Sequence, residues 1–513
     1  MSWKPETDEI AKRRRLAEQQ GGKDAVKLQH DKGRLTIRER IDALLDKGSF
    51  EEVGAGAGSA GENGEPDDFS PANFVLGFGK IDGRRCVVGG EDFTLKGGSP
   101  SQAGLRKSIY TEELACQYRL PLIRLHEGAG GSVSGSGGSR IPGPVYSAPR
   151  FASVARAMAS VPVATAALGP VAGLPAARLV AAHFSVMARD NAQVMIAGPA
   201  VVQRALGERV SKEELGGAEV HTKNGVVDNA AQTELEALDQ IRAFLSYLPA
   251  NVWELPPVDQ SADKPDRRAD ELAEIVPRDR RKSFDMRALL GHVLDEDTFF
   301  EMGVGYGRSQ ITGLARLNGQ PVGVWANDGR HLAGAMTANG AHKARRFIEL
   351  CQTFHLPILS FIDEPGFMIG SKSEREATIR HGTNAVLTSA MSTVPWACIM
   401  VRRSFGVAQV AHYGPEAYVL AWPSAESGPL PVEGGVAVAY GREIAAAADP
   451  DARRRELEEE MAARNSPFPR AEGFGVHELI DPRETRPLLA AWIDRIQPLL
   501  PNLLGQSAFT VRP

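Results

Sequence analysis

Two stretches of this chain place glycine and alanine where an apolar run ends. Arg119–Gly130 (RLPLIRLHEGAG) leads into Gly128–Ser139 (GAGGSVSGSGGS), and His355–Gly366 (HLPILSFIDEPG) closes on Asp363-Glu-Pro-Gly366. Small residues let a backbone approach a ligand closely. Loops at strand C-termini are where α/β proteins bind their ligands. Without a reactive side chain, what such loops offer is main-chain N–H groups that hold an oxyanion. An enolate derived from a thioester is one intermediate handled this way.

Other chemistries fail on spacing. Gly56-Ala-Gly58-Ser-Ala-Gly61 fits GxGxxG but is followed by ENGEPDD, which opens no helix, so it reads as a loop and not a dinucleotide fingerprint. The 128–139 stretch lacks the GK[ST] ending of a P-loop. His126-Glu-Gly-Ala-Gly-Gly131 resembles an esterase oxyanion loop, yet no GxSxG elbow occurs in the chain. There is no HExxH, and the eleven histidines show no ligand spacing, so no metal is expected. His381 reads as a structural histidine. The four cysteines, Cys86, Cys116, Cys351 and Cys398, form no CxxC pair and read as reduced, buried thiols.

With 59 Lys+Arg against 64 Asp+Glu, the formal charge of −5 excludes a general nucleic-acid binder. The N-terminal segment mixes acids with bases around no apolar core, and the expected location is the cytoplasm. The uncharged run 158–177 could span a bilayer by length, but Pro162, Pro170 and Pro175 interrupt it. It reads as a buried strand, turn and helix.

The elements that must position the loops occur twice. FGKIDGRRCVVGGED at 78–92 and LARLNGQPVGVWAND at 314–328 are both hairpins, turning at Asp82-Gly83 and Asn318-Gly319, 236 residues apart. The same offset puts Pro121 on Pro357, Glu127 on Asp363 and Gly130 on Gly366. Strands at 161–168 and 394–401 follow at an offset of 233. Two copies of one α/β unit with mostly parallel sheet are expected. The first spans 1–255 with a helical arm over 1–48, where Thr36-Ile-Arg-Glu39 is a capping box. The Pro- and charge-rich stretch 256–283 reads as a linker, and 284–513 is the second copy. A highly charged helix is expected over Pro450–Asn465.

Several stretches now identify a family. Gly33–Phe50 (GRLTIRERIDALLDKGSF), Asp92–Ser99 (DFTLKGGS), Ala197-Gly-Pro199, Gly207-Glu208, Glu214–Ala218, Asp363–Phe367 (DEPGF), Ile379–Gly382 and Ala421–Glu426 (AWPSAE) are involved. Together they make the chain resemble, over nearly its full length, the carboxyltransferase (β) subunit of biotin-dependent acyl-CoA carboxylases of the propionyl-CoA and methylcrotonoyl-CoA type. The resemblance implies two tandem crotonase-like (ClpP/crotonase) domains built of β–β–α superhelices. The first would bind acyl-CoA and the second carboxybiotin. Biotin would be carried on a partner, the biotin carboxylase/biotin carboxyl carrier (α) subunit, because this chain has no Met-Lys-Met attachment site. A homo-hexamer is implied, with no nucleic acid and no membrane.

Carried over residue by residue, the catalytic donors are the N–H groups of Ala129 and Gly130 for the thioester oxygen, and of Val407 and Ala408 for the ureido oxygen. Gly128, Gly131, Gly169, Gly173, Val410 and Lys96 are expected around the acyl-CoA. Phe405, Gly406, Gly366 and Phe367 are expected around biotin. This chain departs from the pattern at Ala129, Val407, Leu174-Pro175 and Val410, the last an apolar residue that suggests a bulkier acyl group. A biotin-dependent decarboxylase of the same fold, a non-catalytic scaffold, and a crotonase-type hydratase using Glu127 are the alternatives.

Overall fold

A computed structural model describes residues 2–59, 69–130 and 151–508. It divides into two compact units, with the break between Glu254 and Leu255.

The first unit opens with helices α1 (Lys4–Glu18), α2 (Lys23–His30) and α3 (Ile37–Leu44). The expected capping box starts α3: the Glu39 N–H donates to the Thr36 hydroxyl, and the Thr36 N–H donates to the Glu39 carboxylate. Strands β1 (Glu51–Glu52), β2 (Phe74–Ile81) and β3 (Arg84–Glu91) follow. Helix α4 (Gln102–Tyr118) then leads to β4 (Leu122–Gly128), β5 (Val163–Ala172), helix α5 (Leu174–Val180), β6 (Phe184–Ala188), β7 (Gln193–Met195), β8 (Asn229–Ala231) and helix α6 (Glu234–Ser246). The eight strands make one sheet ordered β1-β2-β3-β4-β5-β6-β8, with β7 paired to β5. The β2/β3 hairpin is antiparallel, and β3 to β6 run parallel. Strands buried on both faces in this way read as largely apolar runs, as Val163–Leu168 does around a buried Thr165 and Leu122–Leu125 around a buried Arg124. The uncharged run 158–177 thus holds β5 and the turn into α5, the buried strand, turn and helix expected.

The second unit repeats the plan. Helix α7 (Met286–Val293) precedes β9 (Phe300–Met302), β10 (Gln310–Leu317), β11 (Gln320–Asn327), helix α8 (Ala338–Thr353) and β12 (Ile358–Glu364). Helix α9 (Thr378–Ala390), β13 (Trp396–Phe405), a short 3-10 helix at Ala408–His412, β14 (Tyr418–Ala421), β15 (Glu426–Gly428) and β16 (Glu478–Leu479) complete its sheet side. Its sheet is ordered β9-β10-β11-β12-β13-β14-β16, with β15 on β13. Helices α10 (Val432–Ala446) and α11 (Pro450–Asn465) pack through Val432, Val436, Ile444 and Leu457, and α12 (Thr485–Ile496) covers the main core.

The repeat reaches further upstream than the hairpins. Asp46 accepts the N–H groups of Asp82 and Gly83 at 3.0 and 2.8 Å, and Asp295 accepts those of Asn318 and Gly319 at 3.0 and 2.8 Å. Arg38 pairs with Glu52 at 2.9 Å, and Arg287 with Glu301 at 2.6 Å. Helix α3 is therefore the opening element of the first copy, matched by α7, and not only part of an arm. In both hairpins the two turn residues have positive φ, from 48° to 78°. That geometry explains the Asp-Gly and Asn-Gly choice.

The stretch 256–283 belongs to the second unit instead of lying free of it. Leu272 is buried in that unit's core, with Ile275 and Val276 packed against it. Among the described residues, no helix is long and apolar enough to cross a membrane. The cysteines are unpaired; Cys86, Cys351 and Cys398 are buried.

Candidate functional site

The strand-end acids come first because everything else hangs on them. Glu127, at the end of β4, is fully buried and clamped by Arg34 at 2.5 Å and Arg40 at 2.7 Å. Burial pulls the Arg40 guanidinium down, but the charges and hydrogen bonds of Glu127 and Glu234 together outweigh it and hold it above its ordinary value. Asp363, at the same place in β12, is fully buried between Arg402 at 3.0 Å and Arg403 at 2.6 Å. Both acids are neutralised and sealed from solvent, so Glu127 anchors the loop and does not act as a hydratase's acid or base.

Around Glu127 the glycines have distinct jobs. A Cβ on Gly169 would lie 2.4 Å from the Glu127 carboxylate, so Gly169 makes room for that side chain instead of facing a substrate. Gly128 is buried, and a Cβ there would sit 3.1 Å from Glu91 Cγ and from the Gly98 carbonyl. Gly130 and Gly173 touch: a Cβ on either would lie 2.8 or 2.7 Å from the other's Cα. Gly173 has φ +64° and caps α5. Gly131 lies outside the described residues.

One expected donor is already spent. The Ala129 N–H donates to the Gly97 carbonyl at 3.0 Å. Its counterpart in the second unit is Pro365, which has no N–H at all. Ala129 is therefore a main-chain tie to the 96–98 turn and not a free oxyanion donor. The Gly130 N–H has no partner among the described residues. Lys96 is exposed on that same turn, at φ 53°.

The duplicated fold shows where the other donor belongs. After β13, Gly406 has φ +64° and donates to the Gly428 carbonyl on β15 at 3.2 Å. After β5, Gly173 has φ +64° and donates to the Met195 carbonyl on β7 at 3.3 Å. The offset is the 233 residues already visible in the flanking strands. It places Leu174 on Val407 and Pro175 on Ala408. Extending that match a few residues would have found this from the sequence. The Leu174 N–H opens α5 without a partner among the described residues, whereas Pro175 has none to give.

In the second unit, the N–H groups of Val407 and Ala408 have no partner among the described residues, although Ala408 is fully buried. Buried main-chain donors are almost always paired, which sets the Ala408 N–H apart in this unit. The Val407 and Val410 side chains are 58% and 48% exposed, an apolar rim on the turn. Gly366 has φ +126° and lies beside the Phe405 carbonyl; its own carbonyl accepts the Met336 N–H at 3.1 Å. Phe405 is only 1% exposed, so its ring fills the core and cannot pack on a ligand. Phe367 is half-buried with its ring pressed on Gly382, where a Cβ would be 2.3 Å away. No cluster of three or more His, Cys, Asp or Glu among the described residues is placed to hold a metal ion.

Such an arrangement can stabilise negative oxygens on main-chain amides in each of two duplicated units. Known proteins share the sequence and the fold of this chain. Residues 28–493 match the family model described as carboxyl transferase domain. The chain is 37% identical over 503 residues to the propionyl-CoA carboxylase carboxyltransferase subunit of Haloferax mediterranei, covering 96% of each. It is 31% identical to the methylmalonyl-CoA decarboxylase subunit alpha of Veillonella parvula, covering 91% of each. The transcarboxylase 12S structure, a hexamer assembly with methylmalonyl-coenzyme A and methylmalonic acid bound, superposes with TM-score 0.86 at 30% identity. That match covers 100% of this chain and 97% of that one. By sequence and by fold, this chain belongs to the carboxyl transferase family.

Proposed function

We propose that the chain is the carboxyltransferase subunit of a biotin-dependent acyl-CoA carboxylase. It would move a carboxyl group from carboxybiotin, carried on a partner biotin carboxylase/carboxyl carrier subunit, to the α (or vinylogous γ) carbon of an acyl-CoA. The observation that carries this reading is the unpaired, buried amide at Ala408 with Val407 beside it.

Carboxybiotin supplies the carboxyl group and, once that has left, a basic ring nitrogen. The Val407 and Ala408 amides hold the ureido oxygen and take up the charge that develops on it. On the acyl side, the Gly130 and Leu174 amides, flanking the Gly130–Gly173 contact, hold the thioester oxygen and stabilise the enolate. Each such donor is worth about 3 kcal/mol of barrier. No protein base is required at the α-carbon, which suits a site whose strand-end acids are both locked in ion pairs. Lys96, exposed beside the loop, would meet CoA phosphates, and the Val410 rim would favour an acyl group larger than propionyl. A hexamer of this chain, like the transcarboxylase 12S assembly, is part of the proposal.

The test is the partial reaction. The purified chain is given free biotin and a panel of carboxylated acyl-CoAs, and biotin-dependent loss of the carboxyl group is followed; the ATP-dependent direction is followed with the co-purified partner. Transfer with at least one acyl-CoA is expected. Its absence across the panel in both directions overturns the proposal, and propionyl-CoA far ahead of longer chains overturns the assignment of Val410.

A further inference from the structure

Beneath the Val407–Ala408 turn lies a buried polar chain that the chemistry above does not use. His412, the last residue of the 408–412 helix, is fully buried. Its Nδ1 is 2.9 Å from the Ser360 hydroxyl inside β12, and its Nε2 is 3.5 Å from Glu364 at the end of that strand. Its ring stacks on Trp325 of β11 at 3.8 Å and 18°. Its carbonyl accepts the Cys398 thiol of β13 at 3.2 Å. One residue thus ties the short helix to three strands.

Glu364 is the hub. The same fully buried carboxylate accepts the Gly366 N–H at 3.0 Å and the Asn327 side-chain amide at 3.0 Å. The loop carrying Gly366 hydrogen-bonds this side chain, and the His412 ring of the turn lies against it at 3.5 Å without a hydrogen bond from Nε2. At the other end of the turn, Gln409 donates to the Gly406 carbonyl at 3.0 Å and accepts the Ser404 hydroxyl at 2.7 Å.

The first unit meets the same need with different residues. Position 124 is the counterpart of Ser360, and there Arg124 donates to the Arg178 carbonyl on α5 at 3.1 Å. Glu112 bonds both guanidiniums, at 2.8 and 2.9 Å. In both copies a buried polar side chain at this one strand position reaches the helix whose N-terminus presents the donors. Two unrelated side-chain sets at one duplicated position indicate a shared mechanical requirement.

We infer that His412, acting through Ser360 and Glu364, is a positioning residue that fixes the Val407–Ala408 donor pair relative to the Gly366 loop. This rests on the proposed function only for what the donors bind. Main-chain donors must hold their geometry to within about 0.5 Å to be worth their energy. A 3-10 turn of five residues has little rigidity of its own.

The experiment compares the full-length chain with His412→Asn and His412→Gln by hydrogen–deuterium exchange and by the free-biotin partial reaction. Asn keeps an amide beside Ser360 but cannot reach Glu364. It is expected to speed exchange tenfold or more in both 408–413 and 364–368, and to raise KM for free biotin about tenfold. The KM for acyl-CoA should stay within twofold, and Gln, which reaches further, should restore most of both effects. Unchanged exchange in the two segments, or exchange raised evenly through the unit, overturns the inference. If the wild-type chain transfers no carboxyl group while the paired exchange pattern holds, the coupling stands and the carboxyl-transfer reading falls. Should neither His412 variant fold, Ser360→Ala removes only the hydroxyl, and a threefold rise in the same two segments is required.

Discussion

Replacing Ala408 by proline deletes one hydrogen-bond donor while leaving a small apolar residue in place. The Ala408 N–H bonds to nothing within the described residues, so no internal hydrogen bond is lost. Proline is tolerated at the first position of a helix, where its N–H is not needed. It disfavours helical geometry in the residue before it, and Val407 sits at φ −75°, ψ −29°. The molecule supplies its own precedent, because the first unit carries Leu174-Pro175 at the start of α5. An oxyanion donor is worth about 3 kcal/mol, which at about 1.4 kcal/mol per decade is roughly a 150-fold loss. In the partial reaction, kcat/KM for free biotin should fall by about that factor, with KM for acyl-CoA nearly unchanged. Ala408→Gly keeps the donor and should stay within about fivefold of wild type. A folded Ala408→Pro chain with undiminished transfer, or a glycine variant as damaged as the proline one, would refute the donor argument.

The reciprocal change, Pro175→Ala, adds an amide on the acyl side; acyl-CoA turnover should rise by up to about 10²-fold while helix α5 loses no more than about 1 kcal/mol, as rates and thermal melts would show. Lys96→Glu should raise KM for acyl-CoA several-fold and leave kcat within twofold, with the difference shrinking at high salt as exposed charges are screened. Glu127→Ala leaves Arg34 and Arg40 without their buried partner, and denaturant titration should show a loss of about 3–5 kcal/mol. Burial pushes the Cys86 thiol up to about 12 and raises Cys351 and Cys398 further, so at pH 8 a thiol reagent should label Cys116 first and the other three only on unfolding. These thiols are raised in the folded state, so their contribution to stability is complete below the unfolded thiol pKa of about 8.5. It should be lost as pH climbs toward 12, seen as a falling melting temperature in wild type and a flatter one in Cys86→Ala.

Much of this molecule is written in local signals. Asp82-Gly83 and Asn318-Gly319 can form only one tight hairpin turn well, Thr36 with Glu39 caps its own helix, and two doubly buried strands announce themselves as largely apolar runs. Repetition of those signals at a fixed spacing established two copies of one α/β unit without any coordinates, since a repeated spacing is a property of the chain alone. Which amides are free was not legible in that way. The Ala129 N–H could be seen as engaged only once the 96–98 turn, some thirty residues earlier, was folded beside it. Gly169 looked like a substrate glycine until Glu127 filled the space its missing side chain leaves. The Ser360–His412–Glu364 chain joins residues 52 and 48 positions apart in sequence that share no motif. Hydrogen-bond pairing and close approach depend on which strands become neighbours, and only the packed sheet decides that.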